Sequence, residues 1–352
     1  PVLLGSITAA SIGANLAAVN NVAVFNGIVA LAVEANPKTS NGVVAWVRAS
    51  DLTLLGTDTV GALPDMLTFT PDGSHLLVAN EGEPNSYNDV LEPSIDPVGS
   101  ISAIAVSGLT PTASSISRTV HTAGFAAFNG QEAALRAAGV RIFGPNASVA
   151  QDLEPEYITV SADSKTAYVT LQENNAIAVV DIASRSVTSI KALGFKDHSL
   201  PGMGMDVSDE DGGSNTNSGT PLIKIGPVPV KGMYLPDSMA AYQVKGQTYL
   251  VTANEGDGSI NLYRFHANGA PAGEPQIAAR DAGMPWGALS GLATDGSHLY
   301  AVPELMQEVA SVVQQGGLWV GFTPVFFQSQ QTAVPHPPRF RENPEDHGCP
   351  EA

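Results

Sequence analysis

The sequence predicts an all-β protein, a single seven-bladed β-propeller over residues 1–352 with an incomplete blade at each chain end. Three observations carry this reading. Short apolar stretches rich in Val, Ile and Leu recur at regular intervals, each bounded by turn residues. Gly 35 and Pro 25 among 352 residues exceed ordinary usage, while charged residues make up 14%, against about 25% in an average domain. A word of the form acid, strand, tight turn, strand, acidic loop returns along the chain.

Taken in order, Val22–Phe25 and Ile28–Glu34 flank Asn26-Gly27, the dipeptide favoured in two-residue hairpin turns. Val43–Arg48 and Leu52–Leu55 read as further strands. Only Gly130–Gly139 reads as a helix, and a short one. Thr166–Leu171 and Ala176–Ile182 flank an acidic turn, and Ser186–Ile190 adds a third strand. Tyr249–Ala253 and Ser259–Phe265 flank another. The dipeptides Asn20-Asn21, Asn174-Asn175 and Asn26-Gly27 read most simply as turn residues.

The repeats favour a propeller over a sandwich with coincidental Asp-Gly turns. Asp72-Gly-Ser-His-Leu-Leu-Val-Ala-Asn-Glu81 returns as Asp295-Gly-Ser-His-Leu-Tyr-Ala-Val-Pro-Glu304. Pro64-Asp65, Pro155-Glu156 and Pro236-Asp237 occupy equivalent strand starts, 91 and 81 positions apart. Blades of about 40–45 residues would fit twice into each interval. Glu81, Glu173 and Glu255 fall in equivalent later loops. Spacing alone leaves open whether the two acidic sets meet at one face.

Sixteen Lys+Arg against 34 Asp+Glu give a net charge of −18, which excludes nucleic acid as a partner and disfavours an anionic membrane surface. No apolar run approaches the roughly 20 residues of a membrane span. The one cysteine, Cys349, allows neither an internal disulfide nor a thiolate metal site, and leaves the compartment open. The chain begins at Pro1 rather than Met, as a chain that has lost a signal peptide would. Asn146-Ala147-Ser148 is a formal glycosylation sequon. No nucleophile elbow, zinc-protease helix or phosphate-cradling loop is present.

Several long words occur together and in order: Gly61-Ala-Leu-Pro-Asp-Met-Leu-Thr-Phe-Thr-Pro-Asp-Gly73, Val78-Ala-Asn-Glu-Gly-Glu-Pro84, Gly139-Val-Arg-Ile-Phe-Gly144, Asp152-Leu-Glu-Pro-Glu-Tyr157, Tyr168-Val-Thr-Leu-Gln-Glu-Asn-Asn175, Gly194-Phe-Lys-Asp-His198 and Thr252-Ala-Asn-Glu-Gly-Asp257. From about Val22 to Asp257 the chain resembles the choice-of-anchor I family of extracellular β-propeller proteins. That family includes atypical large bacterial alkaline phosphatases and a mesenchyme-specific cell-surface glycoprotein. The resemblance implies a secreted, periplasmic or cell-surface protein and leaves enzyme and adhesion module both open. Gly258-Ser259 stands where the family carries a longer acidic insertion, and Glu304–Pro338 matches poorly. Glu342–Gly348 with Pro350-Glu351 resembles a late blade start.

Oxygen-rich acidic words mark the candidate sites. Asp152, Glu154 and Glu156 place three carboxylates within five residues, a density that a hard cation would relieve. Asn80-Glu-Gly-Glu83 and Asn254-Glu-Gly-Asp257 form a matched pair in which glycine folds the backbone between carboxylates. The expected metal ligands are Asp65, Glu81, Glu83, Asp152, Glu154, Glu156, Glu173, Asp237, Glu255 and Asp257, with calcium as the ion. Asp206–Gly212 resembles half of a calcium loop, and His198 reads as an exposed loop histidine. Catalytic residues stay unassigned. The functional reading is a calcium-binding surface module that binds a surface protein or glycan. The alternative is a calcium-dependent phosphoesterase, similar to the family's alkaline phosphatases and, in general design, to propeller phytases. Lys231, Lys196 or Arg141 would then contact the phosphate ester.

Overall fold

The computed structural model describes residue 3 and residues 5–87, 95–144, 146–206 and 224–256, together with the backbone of strands at 260–265, 276–277, 289–294 and 299–303. A one-turn helix α1 (Ala9–Ile12) precedes β1 (Leu16–Phe25), β2 (Ile28–Ala35), β3 (Asn41–Arg48) and β4 (Thr53–Ala62). These four pair in sequence order as an antiparallel sheet. β5 (Pro64–Phe69), β6 (His75–Asn80), β7 (Ser100–Ser107) and β8 (Ser117–Gly124) form the second sheet in the same order. A helical insertion follows, with the 3-10 turn η1 (Ala126–Phe128), α2 (Glu132–Ala138) and α3 (Val149–Asp152). β9 (Pro155–Val160), β10 (Thr166–Leu171), β11 (Ala176–Asp181) and β12 (Ser186–Ala192) make the third sheet. A hairpin of β13 (Phe195–Asp197) and β14 (Lys231–Met233) leads to the fourth sheet, β15 (Pro236–Val244), β16 (Gln247–Asn254), β17 (Ile260–Phe265) and β18 (Gln276–Ile277). β19 (Leu289–Thr294) pairs with β20 (Leu299–Pro303) on either side of the second Asp-Gly-Ser-His word.

The first strands of successive sheets are neighbours: β1 lies beside β5, β5 beside β9, β9 beside β15, and β15 beside β19. Stacking four-stranded sheets through their first strands is the arrangement of propeller blades. It also explains the apolar runs. The two middle strands of the first and second sheets are covered on both faces, so β2, β3, β6 and β7 are buried almost throughout, while the outer strands β4 and β8 remain largely open to solvent. Ile28, Ala30 and Trp46 of the first sheet pack with Leu67, Leu76, Val78 and Ile104 of the second. Leu77, Ile101 and Ala103 pack with Val169, Leu171 and Val180 of the third. Tyr168, Ile177 and Val179 meet Met239 and Leu250 of the fourth.

Two expectations change. The 91-residue interval holds one sheet plus the helical insertion, and the 81-residue interval holds one sheet plus the β13–β14 hairpin, so among the described residues no further blade lies between the repeats. The insertion earns its place by filling the core between the second and third sheets with Phe125, Leu135, Val140, Ile142, Val149 and Leu153. The first sheet has all four strands rather than being a partial blade. Among the described residues there are four four-stranded sheets, the β13–β14 hairpin and the β19–β20 pair.

The Asn26-Gly27 hairpin is as expected, with Phe25 opposite Ile28 and φ of +44° and +77° at the two turn residues. Gly27 also sits against Pro111, whose atoms lie 2.7–2.9 Å from where a Cβ would stand. Gly27→Ala therefore meets both backbone strain and a backbone clash, and is expected to destabilise the fold by roughly 1–3 kcal/mol in urea unfolding.

Candidate functional site

Antiparallel pairing answers the question that spacing left open. Pro64 pairs with Asn80, Pro155 with Leu171 and Pro236 with Asn254, so each inner strand begins where its neighbour ends. Asp65, Glu156 and Asp237 therefore stand at the same end of their sheets as the loops carrying Glu81, Glu173 and Glu255. In each sheet two residues of the inner strand oppose one of its partner: Asp65-Met66, Glu156-Tyr157 and Asp237-Ser238. Such bulges re-aim side chains at strand ends. The bulge is secured by the Thr170 hydroxyl, which accepts the Tyr157 N–H at 2.8 Å and donates to the Asp237 carbonyl of the next inner strand at 3.3 Å.

The loops that deliver the later acids are built alike. Glu81 and Gly82 donate backbone N–H bonds to the Leu63 and Ala62 carbonyls, and Glu255 and Gly256 do so to Leu235 and Tyr234, at 2.9–3.1 Å. Leu63 and Leu235, each just before an inner strand, hold φ of +48° and +47°. A bulky side chain in that left-handed region costs on the order of 1–2 kcal/mol. Both copies bear that strain to keep the same loop.

The result is a crowd of half-buried carboxylates. Burial, then the charges of Asp237, Glu81, Asp65 and Glu255, pushes the Glu156 carboxyl far up. Burial first, then Asp65, Glu83 and Glu154, pushes Glu81 up to about 8, with Lys38 pulling weakly the other way. Asp65 is raised by burial and by Glu34. Glu83 is held by Lys38, and Glu255 accepts a 2.7 Å bond from the Gln172 amide. The turns at the opposite ends of the same strands behave otherwise. Asp72 accepts bonds from Thr70 and Ser74, and its carboxyl falls to about 2.

The Asp152-Leu-Glu-Pro-Glu156 word divides among separate surroundings. Asp152, buried, takes the backbone N–H groups of Phe143 and Gly144 and so pins that loop. Glu154, 5% exposed, accepts the Tyr87 hydroxyl at 2.9 and 3.0 Å, and burial lifts its carboxyl to about 8. Glu156 belongs with the inner-strand acids. Glu173 pairs with Arg141 at 2.9 Å, and that guanidinium lies 3.7 Å over the Phe143 ring. Asp257, residues 207–212 of the half calcium loop and everything from residue 304 lie outside the described residues; Asp206 accepts the Lys224 N–H.

Two readings are corrected here. His198 is buried, not exposed, and its Nδ1 meets the Met203 carbonyl at 2.8 Å. Asn20 and Asn21 lie within β1, not in a turn. Asn174 and Asn175 do stand in the turn between β10 and β11, as expected, and are also fully buried connectors. Asn174 donates to the Arg141 and Asp152 carbonyls and accepts the Glu154 N–H. Asn175 accepts the Tyr234 and Leu235 N–H groups and donates to the Gly194 carbonyl. Sequence reasoning passed over Glu34, Lys38, Gln172 and Tyr87. Glu34 had a signal, since it is the lone charge in an otherwise apolar strand.

Carboxylate oxygens predominate at the inner-strand end, which is the donor chemistry of a hard cation. Among the described residues, no three carboxyl, imidazole or thiol side chains converge closely enough to form a metal cage by themselves. No helix there is long and apolar enough to cross a membrane.

A sequence model of the choice-of-anchor I domain matches residues 3–273. No curated protein matches the chain. Among solved structures, Kuenenia stuttgartiensis hydrazine synthase is similar at 14% identity over 84% of this chain and 58% of that one, with a TM-score of 0.42. A putative 6-phosphogluconolactonase from Bacteroides uniformis shares 16% identity over 82% of this chain and 66% of that one, at 0.40. Its counterpart from Bacteroides fragilis shares 14% over 83% and 66%, at 0.41. This chain thus spans less than two thirds of the hydrazine synthase chain, and none of these likenesses is strong enough to identify a function.

The raised carboxyls set a pH dependence. Where a folded-state carboxyl is raised, the native protein holds protons that the unfolded chain releases, so stability is greatest below the ordinary carboxylate range and falls as pH rises toward the folded value. For Glu81 that window runs from 4.5 to about 8. In chelator, unfolding free energy is expected to decline from pH 5 to pH 8. Glu81→Gln should recover roughly 1–3 kcal/mol at pH 8 and little at pH 5. Asn175→Ala, which strands the buried Tyr234 N–H and the half-buried Leu235 N–H, should cost roughly 1–3 kcal/mol at either pH.

Proposed function

The chain belongs to the choice-of-anchor I family, and from that premise we propose that it is an extracellular β-propeller module whose inner-strand end binds calcium, stiffening the loops there to hold a surface protein or glycan. One observation carries the reading: acids from two repeat positions in three sheets meet at one end, where Glu156 is destabilised in its charged form by Asp237, Glu81, Asp65 and Glu255. Like charges kept together at a cost in stability are expected where a cation is to be bound. Because no three of Asp65, Glu81, Glu156, Asp237 and Glu255 converge among the described residues, an ion would take two of these carboxylates at a time, with backbone carbonyls and water completing the shell. Bound there, the ion would offset the mutual repulsion and tie the successive sheets together.

Seven blades remain the proposed ring, counting chain beyond the described strands. The phosphoesterase alternative gains less. Of the basic side chains it would use, Arg141 is engaged by Glu173 and Phe143, and Lys231 stands opposite Asp197 on the β13–β14 hairpin.

Thermal melts test the proposal. Calcium at a hundred times its dissociation constant contributes about 2.7 kcal/mol, so the melting temperature should rise by several degrees at pH 8. Glu156→Gln combined with Asp237→Asn should remove most of that rise while leaving the fold intact. An identical melt with calcium and with chelator contradicts the calcium site. Turnover of p-nitrophenyl phosphate that disappears in the double variant would favour the esterase.

A further inference from the structure

A cavity lies beside the inner-strand acids, and of the carboxylates already described it shares Asp152 and Glu154. Pro84, Ser86 and Tyr87 on one side and Gly144, Ala147, Gln151 and Glu154 on the other border a cavity of about 220 Å³. At roughly 30 Å³ per water molecule it is far larger than a bare ion needs, and it would hold an organic group of several heavy atoms. Its lining includes the carboxylates of Asp96, Asp152 and Glu154 and no lysine, arginine or histidine.

The three carboxylates are not equivalent. Asp152 is committed to the N–H groups of Phe143 and Gly144. Glu154 is 5% exposed, and among the described residues the donor to its side chain is the Tyr87 phenol, whose one proton is shared between both oxygens. A buried carboxylate served by one neutral hydrogen bond is poorly compensated. The Tyr87 ring leans on Phe143, with centroids 5.5 Å apart, and Arg141 already occupies a face of Phe143 as a cation over a ring. Tyr87 itself is 42% exposed, so the cavity has a path to solvent along an aromatic edge. Aromatic faces next to a buried anion are suited to organic cations.

We propose that this cavity binds a primary ammonium group on a short unbranched chain, with Glu154 as the counter-ion and Tyr87 as the aromatic wall. A lysine side chain of a partner protein and a free polyamine both carry this chemistry. The test is calorimetric titration of the full chain with Nα-acetyl-lysine methylamide and, separately, with spermidine, in chelator. Saturable binding of at least one is expected, and the stronger ligand indicates the source. Glu154→Gln should weaken it by about tenfold or more. Ala147→Phe, which fills the cavity without replacing a carboxylate, should abolish it, and this second variant keeps the test decisive if Glu154→Gln folds poorly. Glu156→Gln, at the inner-strand end, should leave affinity within about twofold. Absence of binding by either amine overturns the proposal. So does binding that survives Ala147→Phe, or that falls with Glu156→Gln and not with Glu154→Gln.

Discussion

Antiparallel pairing forces the start of one strand to lie beside the end of the next, and the chemistry of this protein depends on that constraint. It brings Asp65 to the loop of Glu81 and Asp237 to the loop of Glu255, although about 16 to 18 residues separate each pair along the chain. The bulge then adds one residue to the inner strand just where its acid stands. Stacking of the sheets through β1, β5, β9, β15 and β19 does the rest, because it carries each sheet's acidic corner to its neighbour's. No single sheet would assemble the cluster.

The cost of that assembly is visible at several points. Leu63 and Leu235 sit in a backbone region that leucine avoids, and Glu81, Glu154 and Glu156 are all held where their charged forms are disfavoured. At the other end of the strands, Asp72 and Asp163 are equally acidic residues under no such stress, since local hydroxyl and N–H donors satisfy them. Composition counts the two kinds alike. Donor supply and burial separate them, which is why one end of the molecule is a candidate cation site and the other is a set of ordinary turns.

Much of this was legible in the sequence. Tight turns announce themselves through residues that tolerate positive φ, so the hairpin at Asn26-Gly27 and the strands around it were readable, as were β10, β11 and α2 to within a few residues. The acidic repeat was legible because each copy keeps Pro-acid at the strand start. The 3-10 turn and α3 on either side of α2 were not, because their apolar residues serve the core between two sheets and carry little helical periodicity of their own. Asn174 and Asn175 were readable as turn residues but not as connectors, because an amide that suits a turn also suits a buried hydrogen-bonding post, and only burial shows that it serves as both. The fate of Asp152, Glu154 and Glu156 was likewise hidden, since residues two apart in an irregular entry to a strand reach quite different partners.

The central claim is that the acids at the inner-strand end keep protons until a cation takes their place. A pH-stat titration measures this directly. Calcium added to chelator-stripped protein near pH 7 should release about one proton or more per ion bound, and release should shrink in Glu156→Gln. Calcium that binds without releasing protons, or releases as many from Glu156→Gln as from the natural sequence, would contradict the account.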